Sequence, residues 1–212
     1  MTLALIDYGA GNLHSVHNAL KAAGAADVVV TADPEIVGKA DRIVLPGVGA
    51  FGHCAAALRS INGMEQAIND AVGPRAAPFL GICVGMQLMA EEGEERFGAD
   101  EGEVGVHLGL GWVDAVVRRI QPCDPSVKVP HMGWNDVVPA GAHSLIEAGE
   151  AYFLHSYAVE ADNAEDVLAT TSHGISIAAA IGYENRIGVQ FHPEKSQAYG
   201  INFLKRFLEW RP

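Results

Sequence analysis

The chain has 212 residues, of which 49% are hydrophobic and 19% charged, so it can bury a sizeable core and we expect one domain over residues 1–212. Its formal net charge of -12 disfavours binding to nucleic acid or anionic lipid, because both favour clustered Lys and Arg. The longest apolar stretch, residues 79–90, is shorter than the ~20 residues of a membrane helix, so we expect no segment to span a bilayer.

The first half of the chain alternates strand-like apolar runs with helical patterns. A helix carrying Leu13, Val16 and Leu20 is predicted after the first strand, and two more helical stretches precede the fourth strand. The predicted strands are residues 3–8, 28–31, 42–45 and 78–82. This order predicts an α/β, doubly wound, mostly parallel sheet with helices on both faces. Ligands of such sheets bind at the carboxyl ends of the strands.

The second half contains strand patterns joined mainly by turns. They cover residues 104–110, 112–120, 128–138, 151–159, 167–171, 175–183 and 187–191. We expect these strands to form an additional antiparallel or mixed region. A last helix is predicted from Tyr199 to about Trp210, because its apolar residues fall on one stripe that can pack on the sheet.

The cysteines and the N-terminus indicate a compartment. Cys54, Cys83 and Cys123 are odd in number and have no paired or metal-type spacing, so we predict neither a disulfide framework nor a zinc site. The first residues lack the basic start and the cleavage site of a secretory signal. We therefore expect a cytoplasmic protein whose partners are small molecules or other proteins.

The residues around Cys83 are typical of a nucleophile elbow. Gly81, Cys83 and Gly85 form a G-x-C-x-G motif between an apolar strand and a helical run at residues 86–90. In such elbows a strained turn exposes the central side chain, and a helix N-terminus favours the thiolate. The motif alone fits a buried structural cysteine equally well. Cys54 and Cys123 have no comparable setting and are interpreted as structural.

His192 and Glu194 are separated by one proline at the end of a predicted strand. A residue before proline is driven to an extended conformation, and extended residues at i and i+2 project to the same side. Glu194 can therefore orient His192, which is the candidate general base and acid. A solvated turn is the alternative, and the other eight histidines are interpreted as structural. An early elbow cysteine combined with a late His-Pro-Glu favours catalysis.

With these motifs the chain resembles the class I, triad-type glutamine amidotransferases over nearly its whole length. Within that group it looks like those serving imidazole glycerol phosphate synthases, through Asp7-Tyr-Gly-Ala-Gly-Asn12, Leu45-Pro-Gly-Val-Gly49, Gly85-Met-Gln87, Pro130-His-Met-Gly-Trp-Asn135 and Phe191-His-Pro-Glu-Lys195-Ser196. The segment at residues 130–135 and the Lys-Ser after His-Pro-Glu are the more specific markers. The resemblance implies a flavodoxin-like fold with Cys83, His192 and Glu194 as the catalytic triad.

The resemblance also implies roles for further residues. The oxyanion hole would use the backbone at Val84, Val48 and Gly49, although the glycines there can also serve a tight strand-to-helix turn. The implied substrate contacts are Gln87, Glu95, Gly49, His155, Ser156 and Tyr157. The implied partner interface and ammonia gate consists of Asn12, Tyr152 and Lys195. The alternatives are a solvated acidic face for Glu95 and ordinary exposed polar residues for the interface set.

The activity implied by the resemblance is hydrolysis of L-glutamine to glutamate and ammonia without a metal or organic cofactor. The ammonia would pass to a (β/α)8-barrel cyclase subunit of imidazole glycerol phosphate synthase in a heterodimer, a step of histidine biosynthesis. Two alternatives stay open. One is a glutaminase that serves anthranilate, guanylate or pyridoxal phosphate synthesis, and the other is a catalytically silent subunit that regulates a partner.

Overall fold

The computed structural model describes residues 1–97 and 103–212. Over these residues the elements, in chain order, are β1 (Thr2–Ile6), α1 (Leu13–Ala22), β2 (Asp27–Thr31), α2 (Pro34–Lys39), β3 (Arg42–Gly47), α3 (Phe51–Ser60), α4 (Met64–Val72), β4 (Phe79–Cys83), α5 (Val84–Gln87), β5 (Ala90–Phe97), β6 (Glu103–Leu108), β7 (Val113–Arg119), β8 (His131–Pro139), β9 (Gly149–His155), β10 (Tyr157–Ala161), β11 (Val167–Ser172), β12 (Ser176–Tyr183), β13 (Arg186–Val189) and α6 (Gln197–Glu209). Short 3-10 helices at Ala164–Asp166 and Pro193–Lys195 complete the set.

The main sheet joins nine of the described strands in the order β2-β1-β3-β4-β13-β12-β11-β8-β9. The strands from β2 to β13 pair in parallel, and those from β13 to β9 pair antiparallel. β3 and β4 are buried along their whole length, as expected of apolar runs covered on both faces. The predicted α/β class, with a parallel region followed by an antiparallel one, is confirmed.

A second sheet has the order β10-β7-β5-β6 and contains a strand that the sequence analysis missed. The predicted helical run at residues 86–90 was wrong in its extent, because α5 ends at Gln87 and β5 begins at Ala90. The acidic stretch after it is β5, whose inward positions are Gly93 and Glu95. No apolar alternation marks residues 91–95 of this strand, because the buried positions there are a glycine and a carboxylate.

The strand predicted at residues 151–159 is two strands in different sheets. β9 ends at His155 and pairs with β8, whereas β10 begins at Tyr157 and pairs with β7. The chain bends at Ser156, whose carbonyl oxygen accepts a hydrogen bond from the backbone N–H of Ile120 at 2.9 Å. The apolar pattern continues through the bend, which is why a single strand was predicted.

The helices cover the parallel part of the main sheet in two groups. α1 packs against α6, whereas α2 and α3 each pack against α4. α6 buries Phe203, Leu204, Phe207 and Leu208, the stripe predicted from the sequence. Over the described residues, no helix combines the length and the apolar character needed to cross a membrane.

Candidate active site

Cys83 lies at a strained strand-to-helix turn. It is the last residue of β4, has φ 55° and ψ -109°, and is followed directly by α5. A side chain at Gly81 would collide with the carbonyl oxygen of Gly85, and a side chain at Gly85 would collide with the carbonyl oxygen of Leu45. Both glycines are therefore required by close approach of the backbone. A non-glycine residue held in such a conformation is characteristic of functional sites.

The register of the sheet brings His192 to this turn. β13 lies next to β4 in parallel, with Ile82 opposite Val189, so the chain leaves both strands at the same edge. His192 follows three residues after Val189 and is only 2% exposed. The sheet therefore places the predicted nucleophile and the predicted base side by side, although 109 residues separate them in the chain.

His192 is hydrogen-bonded on both sides of its ring. Its Nδ1 lies 2.8 Å from Oε1 of Glu194, and the Cys83 thiol lies within hydrogen-bonding reach of the ring. Burial alone would lower the pKa of His192, but the hydrogen bonds with Cys83 and Glu194 outweigh burial and raise that pKa to about 9. The imidazolium form of His192 is therefore favoured beside the sulfur of Cys83.

The geometry behind the His192–Glu194 contact differs from the expected one. His192 is extended, with φ -97° and ψ 99°, but Pro193–Lys195 is a 3-10 helix, so Glu194 is not in the extended conformation assumed from the sequence. The turn is held by Ser196, which is 1% exposed. Its Oγ donates to the carbonyl oxygen of His192 at 2.7 Å and accepts from the N–H of Tyr152 at 2.9 Å. The sequence analysis gave Ser196 no role.

A cavity of about 160 Å³ opens at the Cys83 turn. It is smaller than pockets for drug-sized ligands, which start at roughly 300 Å³, and suits one small molecule. Among the described residues its lining is formed by Val48, Gly49, Phe51, Cys83, Val84, Gln87, Leu154, His155, Ser156, Tyr157, His192 and Lys195. Ten predicted site residues line it: all of these except Phe51 and Leu154.

The loop after β3 forms one wall of the cavity. Gly49 has φ +106°, a conformation that favours glycine, although a side chain there would meet no atom within 4 Å. Gly47 is restricted by space instead, since an added Cβ would lie 2.8 Å from the backbone nitrogen of Gly85. Below the loop, the hydroxyl of Tyr8 donates to the carbonyl oxygen of Pro46 at 2.8 Å. The glycines thus let the backbone itself line the cavity opposite α5.

Gln87 and Gln190 form a buried amide pair beside the nucleophile. Nε2 of Gln87 donates to the carbonyl oxygen of Tyr157 and to Oε1 of Gln190, each at 3.0 Å. Nε2 of Gln190 lies 3.6 Å from Sγ of Cys83. The sequence analysis named Gln87 but missed Gln190. The available signal was its position two residues before His192 at the end of the predicted strand, because extended residues at i and i+2 project to the same side.

Glu95 occupies a different place from the other predicted substrate contacts. It is 8% exposed, so the alternative of a solvated acidic face is wrong for this residue. Its Oε2 accepts a hydrogen bond from the N–H of Gly52, in the first turn of α3, at 2.9 Å. Neighbouring Phe51 lines the cavity, whereas Glu95 is absent from the lining formed by residues 1–97 and 103–212. A carboxylate at a helix N-terminus is stabilised by the unpaired N–H groups there.

The three predicted interface residues lie on neighbouring elements. Lys195 is exposed, and its Nζ lies 5.7 Å from the ring centroid of half-buried Tyr152. Asn12 is exposed at the start of α1, where its side chain caps the helix by accepting from the N–H of Ser15 at 3.3 Å. α1 packs beside the 3-10 helix that carries Lys195. Of the three, only Lys195 is part of the cavity lining in the described chain.

Cys54, His131 and His155 are buried, and burial shifts their pKa values away from those of ionised groups. Burial raises the pKa of the Cys54 thiol to about 11, so this thiol stays protonated at neutral pH. Burial also lowers the pKa of His131 to about 3 and of His155 to about 4, which keeps both rings neutral. Within residues 1–97 and 103–212, no three His, Cys, Asp or Glu side chains are grouped as metal ligands.

Comparison with protein families and curated proteins identifies close relatives. A family model described as "Glutamine amidotransferase class-I" matches residues 4–210. The protein named "Imidazole glycerol phosphate synthase subunit HisH" from Zymomonas mobilis is 56% identical over 100% of this chain and 97% of its own length. The protein of the same name from Caulobacter vibrioides is 48% identical over 100% of this chain and 99% of its own length.

Solved structures show the same fold at low sequence identity. One titled "Crystal structure of glutamine amidotransferase" has a TM-score of 0.71 at 18% identity and covers 99% of this chain and 98% of its own. The glutaminase domain of a Trypanosoma brucei CTPS, with bound acivicin, has a TM-score of 0.62 at 16% identity and covers 100% of this chain and 95% of its own. At these identities the likeness concerns the fold alone.

Proposed function

Since the chain belongs to the class I glutamine amidotransferases, we propose that it hydrolyses L-glutamine to glutamate and ammonia with Cys83, His192 and Glu194 as the catalytic triad. The observation that carries this proposal is the geometry of the three side chains. Cys83 lies against the buried ring of His192, and on the other side of the ring Oε1 of Glu194 lies 2.8 Å from Nδ1.

The first half of the reaction forms a thioester. The Cys83 thiolate attacks the carbonyl carbon of the glutamine side-chain amide, and the carbonyl electron pair moves to the oxygen. The His192 imidazolium then donates its proton to the amide nitrogen as the C–N bond breaks. Ammonia leaves, and a γ-glutamyl thioester stays on Cys83. Glu194 orients the ring and stabilises its charged form.

The second half regenerates the thiolate. Neutral His192 takes a proton from water, whose oxygen attacks the thioester carbonyl. The C–S bond breaks, glutamate departs, and His192 again holds a proton beside the Cys83 thiolate. One glutamine and one water give one glutamate and one ammonia, so these steps call for no metal or organic cofactor.

Backbone groups on two walls of the cavity supply the proposed oxyanion hole. The N–H of Val84 is at the start of α5, where the first N–H groups of a helix have no partner within the helix. The second donor comes from the loop at Val48 and Gly49, both of which line the cavity. Donors aimed at a developing oxyanion each contribute about 3 kcal/mol to transition-state stabilisation. The positive φ of Gly49 supports this placement of the loop backbone.

The substrate contacts proposed here surround the same cavity. Gly49, His155, Ser156 and Tyr157 line it, and Gln87 lines it from α5. Glu95 binds the first turn of α3 beside Phe51, a cavity residue. Glu95 can therefore bind the substrate's ammonium group in one of two ways. Either its carboxylate acts on the substrate without lining the cavity, or the part of the lining at Phe51 moves.

The relatives' names support a specific partner. We propose that the chain is the glutaminase subunit of an imidazole glycerol phosphate synthase in histidine biosynthesis. Its ammonia would pass to a (β/α)8-barrel cyclase subunit in a heterodimer. We also propose a cytoplasmic location, which is supported by the absence of disulfides among the three cysteines.

An exposed apolar surface beside the cavity suits this partner. Cross-strand pairing sets Met132 opposite Leu154 and Trp134 opposite Tyr152 on the β8–β9 hairpin. Met132 is 65% exposed and Trp134 47% exposed. The Trp134 and Tyr152 rings pack edge to face with their centroids 6.1 Å apart. We call the surface of Met132, Trp134, Tyr152, Leu154 and Lys195 the docking face. Large exposed aromatic and Met side chains are typical of interface centres.

Glutamate release in the presence of candidate partners tests the proposed function. The chain is assayed alone, with the cyclase subunit, and with the cyclase subunit plus its ribonucleotide substrate. We expect low release alone and a rise with the complete system, because ammonia made without an acceptor is lost. A rise only with an anthranilate, guanylate or pyridoxal phosphate synthase would reassign the acceptor. Absence of glutamate in every mixture would favour a catalytically silent regulatory subunit.

A further inference from the structure

Gln190 lies directly beside the proposed nucleophile. It is 0% exposed, and its Nε2 is 3.6 Å from Sγ of Cys83. The register of the sheet explains the contact: Ile82 faces Val189, so the residues that follow them, Cys83 and Gln190, lie side by side. The backbone N–H of Gln190 donates to the carbonyl oxygen of Ala179 at 2.9 Å, which fixes the residue to β12.

The orientation of the Gln190 amide follows from a backbone carbonyl. The carbonyl oxygen of Tyr157 can only accept, so the group of Gln87 that lies 3.0 Å from it must be the NH2. The second N–H of Gln87 then points to Gln190 at 3.0 Å, and the group receiving it must be Oε1. Gln190 is left with its NH2 facing Cys83. The position of one carbonyl oxygen thus determines which atom meets the sulfur.

An amide N–H aimed at sulfur distinguishes the two protonation states of a cysteine. A thiolate is a charged acceptor and forms a stronger hydrogen bond than a thiol, whose sulfur accepts weakly. The contact therefore favours the thiolate and also fixes where the sulfur lies. Gln190 is fully buried and Cys83 is 4% exposed, so the amide is held at the sulfur by its surroundings in the protein.

We propose that Gln190 is a positioning residue that donates an N–H to the Cys83 thiolate, with its amide oriented by Gln87. This inference rests on the proposed function, in which Cys83 is the nucleophile. It also changes the account of Gln87, because both of its N–H groups are used inside the protein. Only Oε1 of Gln87 stays available for the substrate.

Alkylation of Cys83 at varied pH tests the proposal without substrate. Wild type and Gln190→Met, which keeps the side-chain length but cannot donate, are treated with iodoacetamide between about pH 5 and about pH 10. Peptide mass spectrometry separates Cys83 from Cys54 and Cys123. We expect the pH midpoint of Cys83 alkylation to rise by about one pH unit in Gln190→Met, and alkylation at pH below the midpoint to slow about tenfold.

The rate of Cys83 alkylation at a pH above the midpoints of both proteins distinguishes a positioning role of Gln190 from a general disruption of the site. A thiolate without the hydrogen bond is more nucleophilic, so Gln190→Met should alkylate at high pH as fast as wild type or faster. Slower alkylation at every pH, with an unchanged midpoint, would overturn the proposal. The matched control is Asn185→Leu, which removes a buried amide that donates to the carbonyl oxygens of Val72 and Ala77. It should lower Tm and leave the midpoint unchanged.

A second variant covers a failure of Gln190→Met to fold. Gln87→Met leaves Gln190 in place but removes the group that orients its amide, and we expect a smaller shift of the midpoint in the same direction. An unchanged midpoint in a folded Gln87→Met protein would overturn the orienting role. Failure of the proposed function looks different: Cys83 of the wild type would then react no faster at neutral pH than exposed Cys123.

Discussion

Ile82 and Val189 face each other in the parallel pairing of β4 and β13, and this pairing brings Cys83 and His192 to the same edge of the sheet. The two strands are distant in the chain but adjacent in space. Because parallel strands end at a common edge, the residues that follow them meet there. The proposed nucleophile, its base and the amide of Gln190 all owe their proximity to this register.

Replacement of Cys83 by Ala should separate the two activities of the assembled enzyme. We expect glutamine-dependent synthesis by the complex to fall at least about a thousandfold, because removal of a nucleophile costs most of the catalysis. Synthesis from added ammonia should stay close to wild type, since we propose that the acceptor site lies in the cyclase subunit. Both rates are measured on the same preparation. Loss of ammonia-dependent synthesis as well would mean that Cys83→Ala disrupts the complex instead.

Replacement of Glu194 by Gln should lower kcat by about 10² to 10⁴ with a small change in KM. The amide can still contact Nδ1 of His192, but it no longer stabilises the imidazolium or enforces the tautomer. Glu184→Gln is the matched control, because Glu184 pairs with Arg186 at 3.0 Å with its own side chain 63% exposed. A kcat for Glu194→Gln equal to that of the control would remove Glu194 from the triad.

The pH dependence follows from the raised pKa of His192. Its folded value of about 9 exceeds its ordinary value of 6.5, so folding favours the imidazolium. The resulting stabilisation is fully present below about pH 6.5 and is lost as the pH rises through about 9. We expect kcat to fall above about pH 9, because the proton donor for the departing nitrogen is lost. Tm should fall more steeply in this range for wild type than for His192→Asn.

Replacement of Ser196 by Ala should loosen the turn that carries the triad. The change removes the acceptor of the part-buried N–H of Tyr152, whereas the carbonyl oxygen of His192 still accepts from the N–H of Lys195 at 3.0 Å. A buried group left unpaired costs about 1–3 kcal/mol, or roughly 2–4 °C of Tm per kcal/mol in a chain of this size. We expect a lower Tm together with a lower kcat. Ser60→Ala, on an exposed helix end, should change neither.

Replacement of Trp134 by Ala should weaken the complex and spare the triad. A buried interface aromatic typically contributes about 2 kcal/mol or more, so we expect Kd for the cyclase subunit to rise about 30-fold. Alkylation of Cys83 in the free chain should stay unchanged. Tyr183→Ala is the control, because Tyr183 is 49% exposed at the opposite end of the antiparallel strands. Equal effects of both variants on Kd would exclude the docking face as the contact.

The sequence predicted those features that depend on local pattern. The order of strands and helices, the glycines around Cys83 and the nearness of Glu194 to His192 each follow from a few neighbouring residues. The pairing of Glu194 with His192 was expected from an extended chain, which was wrong. The 3-10 helix at Pro193–Lys195 and the hydrogen bond from Ser196 to the carbonyl oxygen of His192 produce the pairing instead. Extension over residues 1–212 as one domain stays a prediction.

Other features depend on contacts that no local pattern records. β5 was missed because its buried face is formed by Gly93 and Glu95, which do not alternate as apolar residues do. The break at Ser156 was missed because the pattern runs on while the two halves enter different sheets. Gln190 was missed because its partners, Gln87 and Cys83, are about a hundred residues away in the chain.

The most direct test of the central claim is to locate a covalent label left by a glutamine analogue. The chain, with the cyclase subunit present, is treated with 6-diazo-5-oxo-L-norleucine, and the modified residue is identified by peptide mass spectrometry. We predict one label on Cys83, none on Cys54 or Cys123, and slower labelling when L-glutamine is added. A Cys83 that stays unlabelled, or labelling that L-glutamine does not slow, would contradict the proposed glutaminase site.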